Sequence, residues 1–178
     1  PLTQIIQEML VNSDNNTAEL LLKEIGFVTA QQGSTEAGLS KALEILVKDG
    51  LAASTILKDG SGLSNLNRAT CSDFNKILVK NAEAFPPLFA VAGETGTIRD
   101  MFDSSPMKGR LLGKTGTLNG VKALVGYVPI EASDPVVFSL ILNATAIDNQ
   151  TAYRPIWNAF GDALNKAKSE PRVEQLAP

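Results

Sequence analysis

Apolar residues recur at helical spacing through the first eighty positions, and beyond Leu111 the texture changes to strand-length runs. Residues 3–11 (TQIIQEMLV) place Ile5, Ile6, Met9 and Leu10 on one helical face, and Asn12-Ser13 stops the run. Asn16 precedes Glu19 by three positions, a capping-box spacing, and Leu20, Leu21, Leu22 and Ile25 follow before Gly26 closes the second helix. The triplet Ser13-Asp14-Asn15 is therefore expected between two packed helices, where a short loop can be held rigidly. Ser34 or Thr35 opens a third helix carrying Leu39, Leu43, Leu46 and Val47, which Asp49-Gly50 ends. "DGSGLS" at 59–64 is too dense in turn formers for regular structure. Thr70 caps a fourth helix running to about Lys80, with Phe74, Ile77 and Leu78 inward. "FPPLF" at 85–89 interrupts the chain, and a helical turn is expected around Ile98–Phe102.

Residues 111–117, 120–128 and 136–143 read as three strands. Asn119-Gly120 is a tight-turn signal that makes the first two an antiparallel hairpin, and a loop from Pro129 to Pro135 precedes the third. Residues 149–167 form a long helix with Tyr153, Ile156, Trp157, Phe160 and Leu164 on one face. The expected class is α+β: a helical half, then an antiparallel sheet covered by the final helix. Residues 1–168 form part of one domain, and the polar, proline-bounded stretch 169–178 is a loose tail.

Composition narrows the chemistry. The chain has 178 residues, 44% of them hydrophobic, and a net charge of −3, which suits a globular domain and argues against nucleic acid as a partner. No apolar run reaches membrane-spanning length. The lone cysteine, Cys71, cannot form an intrachain disulfide and reads as a small half-buried helix residue. There are no histidines, which excludes Ser-His-Asp and Cys-His catalytic units and any imidazole-dependent zinc site. Acid–base work near neutral pH would fall to lysine, carboxylate, tyrosine or a hydroxyl relay.

Two polar triplets fit that restriction: Ser13-Asp14-Asn15 in an interhelix loop, and Lys114-Thr115-Gly116 on the first strand of the hairpin. Each has an ordinary reading as well. Serine, aspartate and asparagine are favoured at caps and turns, and a strand lysine commonly protects an edge. Together, in this order and context, they match two parts of the three-part signature of penicillin-recognising serine enzymes, whose third part is Ser-x-x-Lys.

From about residue 2 to 168 the chain resembles the C-terminal portion of D-alanyl-D-alanine carboxypeptidases/endopeptidases of the class C low-molecular-mass penicillin-binding protein type. The segments carrying the resemblance are "NSDNNTAELLLKEIG", "DGSGLS", "VAGETGTIRDMF" and "GKTGTLNGVKALVGYV". It implies a β-lactamase/transpeptidase-like fold and an extracytoplasmic enzyme of periplasm or cell wall. Such an enzyme acts on peptidoglycan stem peptides ending in D-Ala-D-Ala, is acylated by β-lactam antibiotics and needs no cofactor or metal. In that setting Ser13 relays a proton toward the leaving amine, and Asn15 offers its amide to the substrate and to a catalytic lysine. Lys114 supplies positive charge to a terminal carboxylate, which Thr115 hydrogen-bonds. Gly116 lets the acyl chain lie along the strand edge as an added strand. The resemblance places the Thr117 N–H in an oxyanion hole, where one preorganised donor lowers a barrier by roughly 3–4 kcal/mol.

The nucleophile is the missing part. The family's Ser-x-x-Lys stands on a helix upstream of the serine loop, yet only twelve residues precede Ser13 here. Ser105-Pro106-Met107-Lys108 matches the string but follows the loop and contains a proline, so it is read as coincidence. The expectation is a fragment that needs an N-terminal segment of the same precursor to supply serine, base and further sheet. Two other readings stand beside it. A class A β-lactamase uses similar triplets but needs a deacylating Glu-x-x-x-Asn, which no glutamate between them provides. A non-catalytic fragment that binds peptidoglycan peptides would retain the carboxylate-binding strand without chemistry.

Overall fold

A computed structural model describes residues 1–50, 55–131 and 133–169. Helices α1 (Leu2–Asn12), α2 (Asn15–Ala30), α3 (Thr35–Lys48) and α4 (Cys71–Lys80) come first. Strands β1 (Ala90–Val91), β2 (Leu112–Leu118), β3 (Val121–Ile130) and β4 (Ser133–Asn143) follow, and helix α5 (Gln150–Ser169) closes the order. The strands form one antiparallel sheet in the order β1-β2-β3-β4. This is the expected α+β arrangement, with a two-residue edge strand, β1, that was too short to leave a period. The expected tail, apart from Ser169 at the end of α5, lies outside the described residues.

Both faces of the sheet are covered. On one, Leu124, Phe138 and Ile98 pack with Tyr153, Trp157 and Leu164 of α5. On the other, Val125 and Tyr127 meet Leu78 of α4 and Phe89, with Leu10 of α1 at the margin. Each large apolar side chain so buried contributes about 1.5–3 kcal/mol. Two hydrogen bonds fix α4 on the second face: Tyr127 Oη donates to the Leu78 carbonyl at 2.8 Å, and Ser139 Oγ to that of Cys71 at 2.9 Å. Burial pushes the Tyr127 hydroxyl up to about 12. Thr70 caps α4 as expected, in a reciprocal capping box with the buried Asp73.

Several sequence expectations need correction. Asp14, not Asn16, caps α2: its carboxylate accepts from the N–H groups of Asn16 and Thr17. Glu19 is no capping-box partner and instead binds the loop at 59–64, described below. Gly26 does not end α2, which continues to Ala30 and stops at Gln31 in a left-handed conformation. Gly26 serves helix crossing: a Cβ there would lie 2.7 Å from the Gly38 nitrogen, and one on Gly38 only 2.1 Å from the Leu22 carbonyl oxygen. Ser34 is the residue that opens α3. The helical turn expected at Ile98–Phe102 is a 3-10 turn at Gly96–Ile98. Pro129 and Pro135 lie within β3 and β4 rather than in a loop, and pairing shifts between Val128 and Ile130, where proline's missing N–H is tolerated. Ile156 is exposed, whereas Tyr153, Trp157 and Leu164 are buried. Ile5 and Val47, placed among the apolar positions of their helices, are also exposed.

The α2–α3 crossing yields a stability test. Gly38→Ala is expected to lower the unfolding free energy by about 1–3 kcal/mol through overpacking. Gly33→Ala, whose added Cβ meets only the Phe27 Cβ at 4.0 Å, should shift it far less in the same denaturant titration.

Candidate active site

The serine loop is built by a helix ending and a helix beginning within two residues. Asp14 N–H reaches back to the Met9 carbonyl at 3.0 Å and closes the last turn of α1. Ser13 takes up the left-handed conformation, φ 57° and ψ 49°, which is uncommon for a residue with a Cβ. Asp14 then starts α2, with its carboxylate also accepting from Thr17 Oγ1 at 2.8 Å. The Thr17 hydroxyl, then the Thr17 N–H and to a lesser degree the Asn16 N–H, hold that carboxyl below its usual range, against an opposing effect of desolvation. Asp14 is thus a structural anchor, fixing the corner between Ser13 and Asn15. Asn15 occupies the first position of α2 and is exposed.

The sheet supplies the other half. Lys114 Nζ donates to Ser13 Oγ at 2.7 Å, across 101 residues of sequence, and to the Thr115 carbonyl at 2.7 Å. Burial pushes its pKa below the ordinary 10.5. An ammonium has three donors, so two committed hydrogens leave one for a ligand. Because Lys114 donates to Ser13 Oγ, the serine's own proton is free to point elsewhere, the requirement for a proton carrier. Lys114, Gly116 and Thr117 pair on one side with Val125, Ala123 and Lys122 of β3. On the other side β1 pairs only as far as Gly113, so among the described residues the edge from Lys114 to Leu118 is open to an extended peptide.

Thr115 points to the opposite face from Lys114, as strand alternation requires. There its hydroxyl lies 2.7 Å from that of Thr97 in the Gly96–Ile98 turn. Thr117 is exposed at the far end of the same edge. Sequence reasoning had given no role to Thr97, although it lies in the quoted run "VAGETGTIRDMF". It also missed Glu19, whose Oε1 accepts from the N–H groups of Gly60 and Ser61 at 3.0 and 2.9 Å and holds the 59–64 loop against α2. Asp59 organises that loop from within, accepting from Gly62, Ser64 and Asn67. No sequence period joins such partners; only the density of glycine and aspartate hints at a constructed loop.

Ser105 and Lys108 sit in consecutive turns rather than a helix, and Lys108 Nζ pairs with Asp103 at 2.9 Å. Lys108 N–H donates to the Ser105 carbonyl at 3.1 Å as a backbone turn, and Ser105 Oγ accepts from the Met107 N–H at 3.2 Å. No cluster of metal-ligating residues occurs among the described residues. Two cavities lie away from the Ser13–Lys114 pair, one beside Trp157 and one along α4.

A model of the D-Ala-D-Ala carboxypeptidase 3 (S13) family matches residues 1–160. The chain belongs to this family. Over 153 residues the S13 chain is 35% identical to a D-alanyl-D-alanine carboxypeptidase of Actinomadura sp. strain R39, covering 80% of itself and 28% of that protein. It is 29% identical over 183 residues to a Haemophilus influenzae D-alanyl-D-alanine carboxypeptidase, covering 98% of itself and 36% of the relative. The crystal structure of penicillin binding protein 4 from Haemophilus influenzae superposes with a TM-score of 0.81 at 26% identity, over 96% of this chain and 40% of that one. A peptidoglycan endopeptidase of Bdellovibrio bacteriovorus shares the fold, with a TM-score of 0.70 at 24% identity and coverage of 97% and 44%. The S13 chain therefore spans about a third of the length of the curated relatives it matches.

The environment of Lys114 makes a signed prediction. A lysine whose folded pKa is depressed binds fewer protons in the folded state than in the unfolded one just below pH 10.5, so its contribution to stability rises as pH increases through that window. Unfolding free energies measured between neutral and alkaline pH should show this rising component in the wild type. In Lys114→Met the component should be absent.

Proposed function

We propose that the protein to which this chain belongs is a serine-type D-Ala-D-Ala carboxypeptidase/endopeptidase acting outside the cytoplasm on peptidoglycan stem peptides through an acyl-enzyme. The observation that carries the reading is the 2.7 Å contact between Lys114 Nζ and Ser13 Oγ, made beside an open strand edge in a member of this family. The stem peptide lies along Lys114–Thr117 as an added strand, with its terminal carboxylate near Lys114 and Thr115. A serine on a segment upstream of this chain, paired with a lysine three residues later, attacks the penultimate D-Ala carbonyl. The oxyanion is held by the Thr117 N–H, the C–N bond breaks, and Ser13 passes a proton to the departing amine. Water then hydrolyses the ester and restores the serine hydroxyl. Asn15 binds the substrate's peptide group and orients the upstream lysine, while Gly116 leaves room for the acyl chain.

The same site accepts a β-lactam in place of the peptide. The Haemophilus influenzae relative has been observed complexed with one. The upstream segment has a second task. Leu20, Val28 and Phe27 are 65%, 65% and 50% exposed, and α1 holds no buried residue. The helical half is accordingly short of apolar cover, which the remaining two-thirds of a relative-sized protein would provide.

Fluorescent penicillin tests the assignment. The full-length protein should form a covalent adduct, and Ser13→Ala or Lys114→Ala should slow its formation by about 10²-fold or more. Residues 1–178 alone should not be labelled. Labelling of the isolated chain would show that the nucleophile lies within it and overturn this reading.

A further inference from the structure

The central turn of the run "VAGETGTIRDMF" touches both halves of the site. Gly96 has φ +59°, and a Cβ there would lie 2.4 Å from the Val11 carbonyl oxygen and 2.8 Å from the Ala90 Cβ. Only glycine lets the turn nest against the end of α1, two residues before Ser13. Thr95 Oγ1 accepts from the Val91 N–H at 2.8 Å, and Gly93 N–H donates to the Ile98 carbonyl at 3.0 Å, so the turn is bonded to its own base. Ile98 is fully buried, and a Cβ on Gly113 would touch its Cδ1 at 3.4 Å, one residue before Lys114. Between these fixed points the Thr97 hydroxyl is held 2.7 Å from Thr115 Oγ1.

Two hydroxyls at this distance share one proton between them, and direction decides what Thr115 can do. A threonine hydroxyl has one proton and two lone pairs. If Thr115 donates to Thr97, it turns lone pairs toward an approaching carboxylate and repels it. If Thr97 donates to Thr115, the single Thr115 proton is left for the anion, and accepting a hydrogen bond makes that proton a stronger donor. Thr97 does not itself need to touch the ligand.

We infer that Thr97 is a positioning residue for carboxylate recognition: its hydroxyl donates to Thr115 Oγ1 and commits the Thr115 proton to the carboxylate at the open edge of β2. The inference rests on the assignment of Thr115 to that carboxylate in the proposed function, and the two can fail separately.

The test uses the full-length protein and two acyl-D-Ala-D-Ala peptides, one ending in a free carboxylate and one in a carboxamide. The quantity read is the ratio of kcat/KM for the carboxylate to that for the amide, in wild type, Thr115→Val, Thr97→Val and Thr97→Ser. Thr115→Val and Thr97→Val should each lower the ratio, Thr97→Val by roughly tenfold, as expected for loss of a hydrogen bond that serves a charged group. Thr97→Ser, which keeps the hydroxyl, should restore it. A ratio lowered by Thr115→Val and unmoved by Thr97→Val would overturn the role of Thr97 alone. Equal loss on both peptides in Thr97→Val would overturn it as well, since that marks a purely structural role. A ratio unmoved by Thr115→Val would overturn the carboxylate assignment and the inference with it. Should Thr97→Val fail to fold, as judged by thermal unfolding, Thr97→Ala carries the same comparison.

Discussion

Lys114 is where the helical half and the sheet are joined by charge. Its ammonium bridges Ser13 Oγ and the carbonyl of Thr115, each at 2.7 Å, so one group holds a helix corner against a strand formed a hundred residues later. Desolvation works against this ammonium, and the two hydrogen bonds compensate in part. A cation held in this way is available to an anionic ligand at little further desolvation cost. In a chain without histidine, this arrangement gives the proposed proton relay a physical basis. A hydroxyl is a poor proton carrier alone, and a neighbouring ammonium stabilises the alkoxide character that develops as its proton leaves.

That contact depends on close approaches of backbone to backbone. Ser13 must turn left-handed for α1 and α2 to meet at a corner, and Asp14 secures the turn by capping α2. Gly96 must lack a side chain for the 3-10 turn to lie against Val11. Gly60 plays a comparable part farther along α2, where a Cβ would stand 2.8 Å from the Ala18 carbonyl oxygen, and Glu19 binds the loop that Gly60 lets in. At the far end of the hairpin, Asp148 accepts from the Gly120 N–H at 3.0 Å and lies 3.4 Å from the buried ammonium of Lys122. The β2–β3 hairpin is thus braced at both ends, by the Gly96–Ile98 turn and by Asp148.

Local chemistry was legible in the sequence wherever one period or one turn decided it. Among the described residues, the five helices, the three long strands and the Asn119-Gly120 hairpin follow from apolar spacing and turn residues. Thr70 announced its helix, and Ser34 or Thr35 the third, because the capping partners lie three residues away. What failed was anything decided by a distant neighbour. Gly26 reads as a helix terminator until Gly38 is seen packed against it, and Glu19 reads as a cap residue until the 59–64 loop arrives forty positions later. The proximity of Ser13 to Lys114 could be expected only because the two triplets resembled halves of one signature. Thr97 had no such partner string, and the role proposed for it rests on a side-chain contact that no local pattern encodes.

The alternation of a single strand explains how these parts cooperate. Successive side chains of β2 point to opposite faces, so Lys114 and Thr115 cannot both face the helical half. Lys114 takes that face and meets Ser13, whereas Thr115 turns to the α5 face and meets Thr97. Gly116, next on the Lys114 face, has no side chain to fill the space beyond the ammonium. A peptide laid on the open edge would therefore meet a cation from one face and a hydroxyl from the other, with a gap after them. Shifting the register of β2 by one residue would exchange these faces, turning Lys114 from Ser13 and Thr115 from Thr97 at once. The seven-residue ladder with β3, from Leu112 opposite Tyr127 to Leu118 opposite Val121, guards against that slip, with the buried Tyr127 at one end and the Gly120 turn at the other.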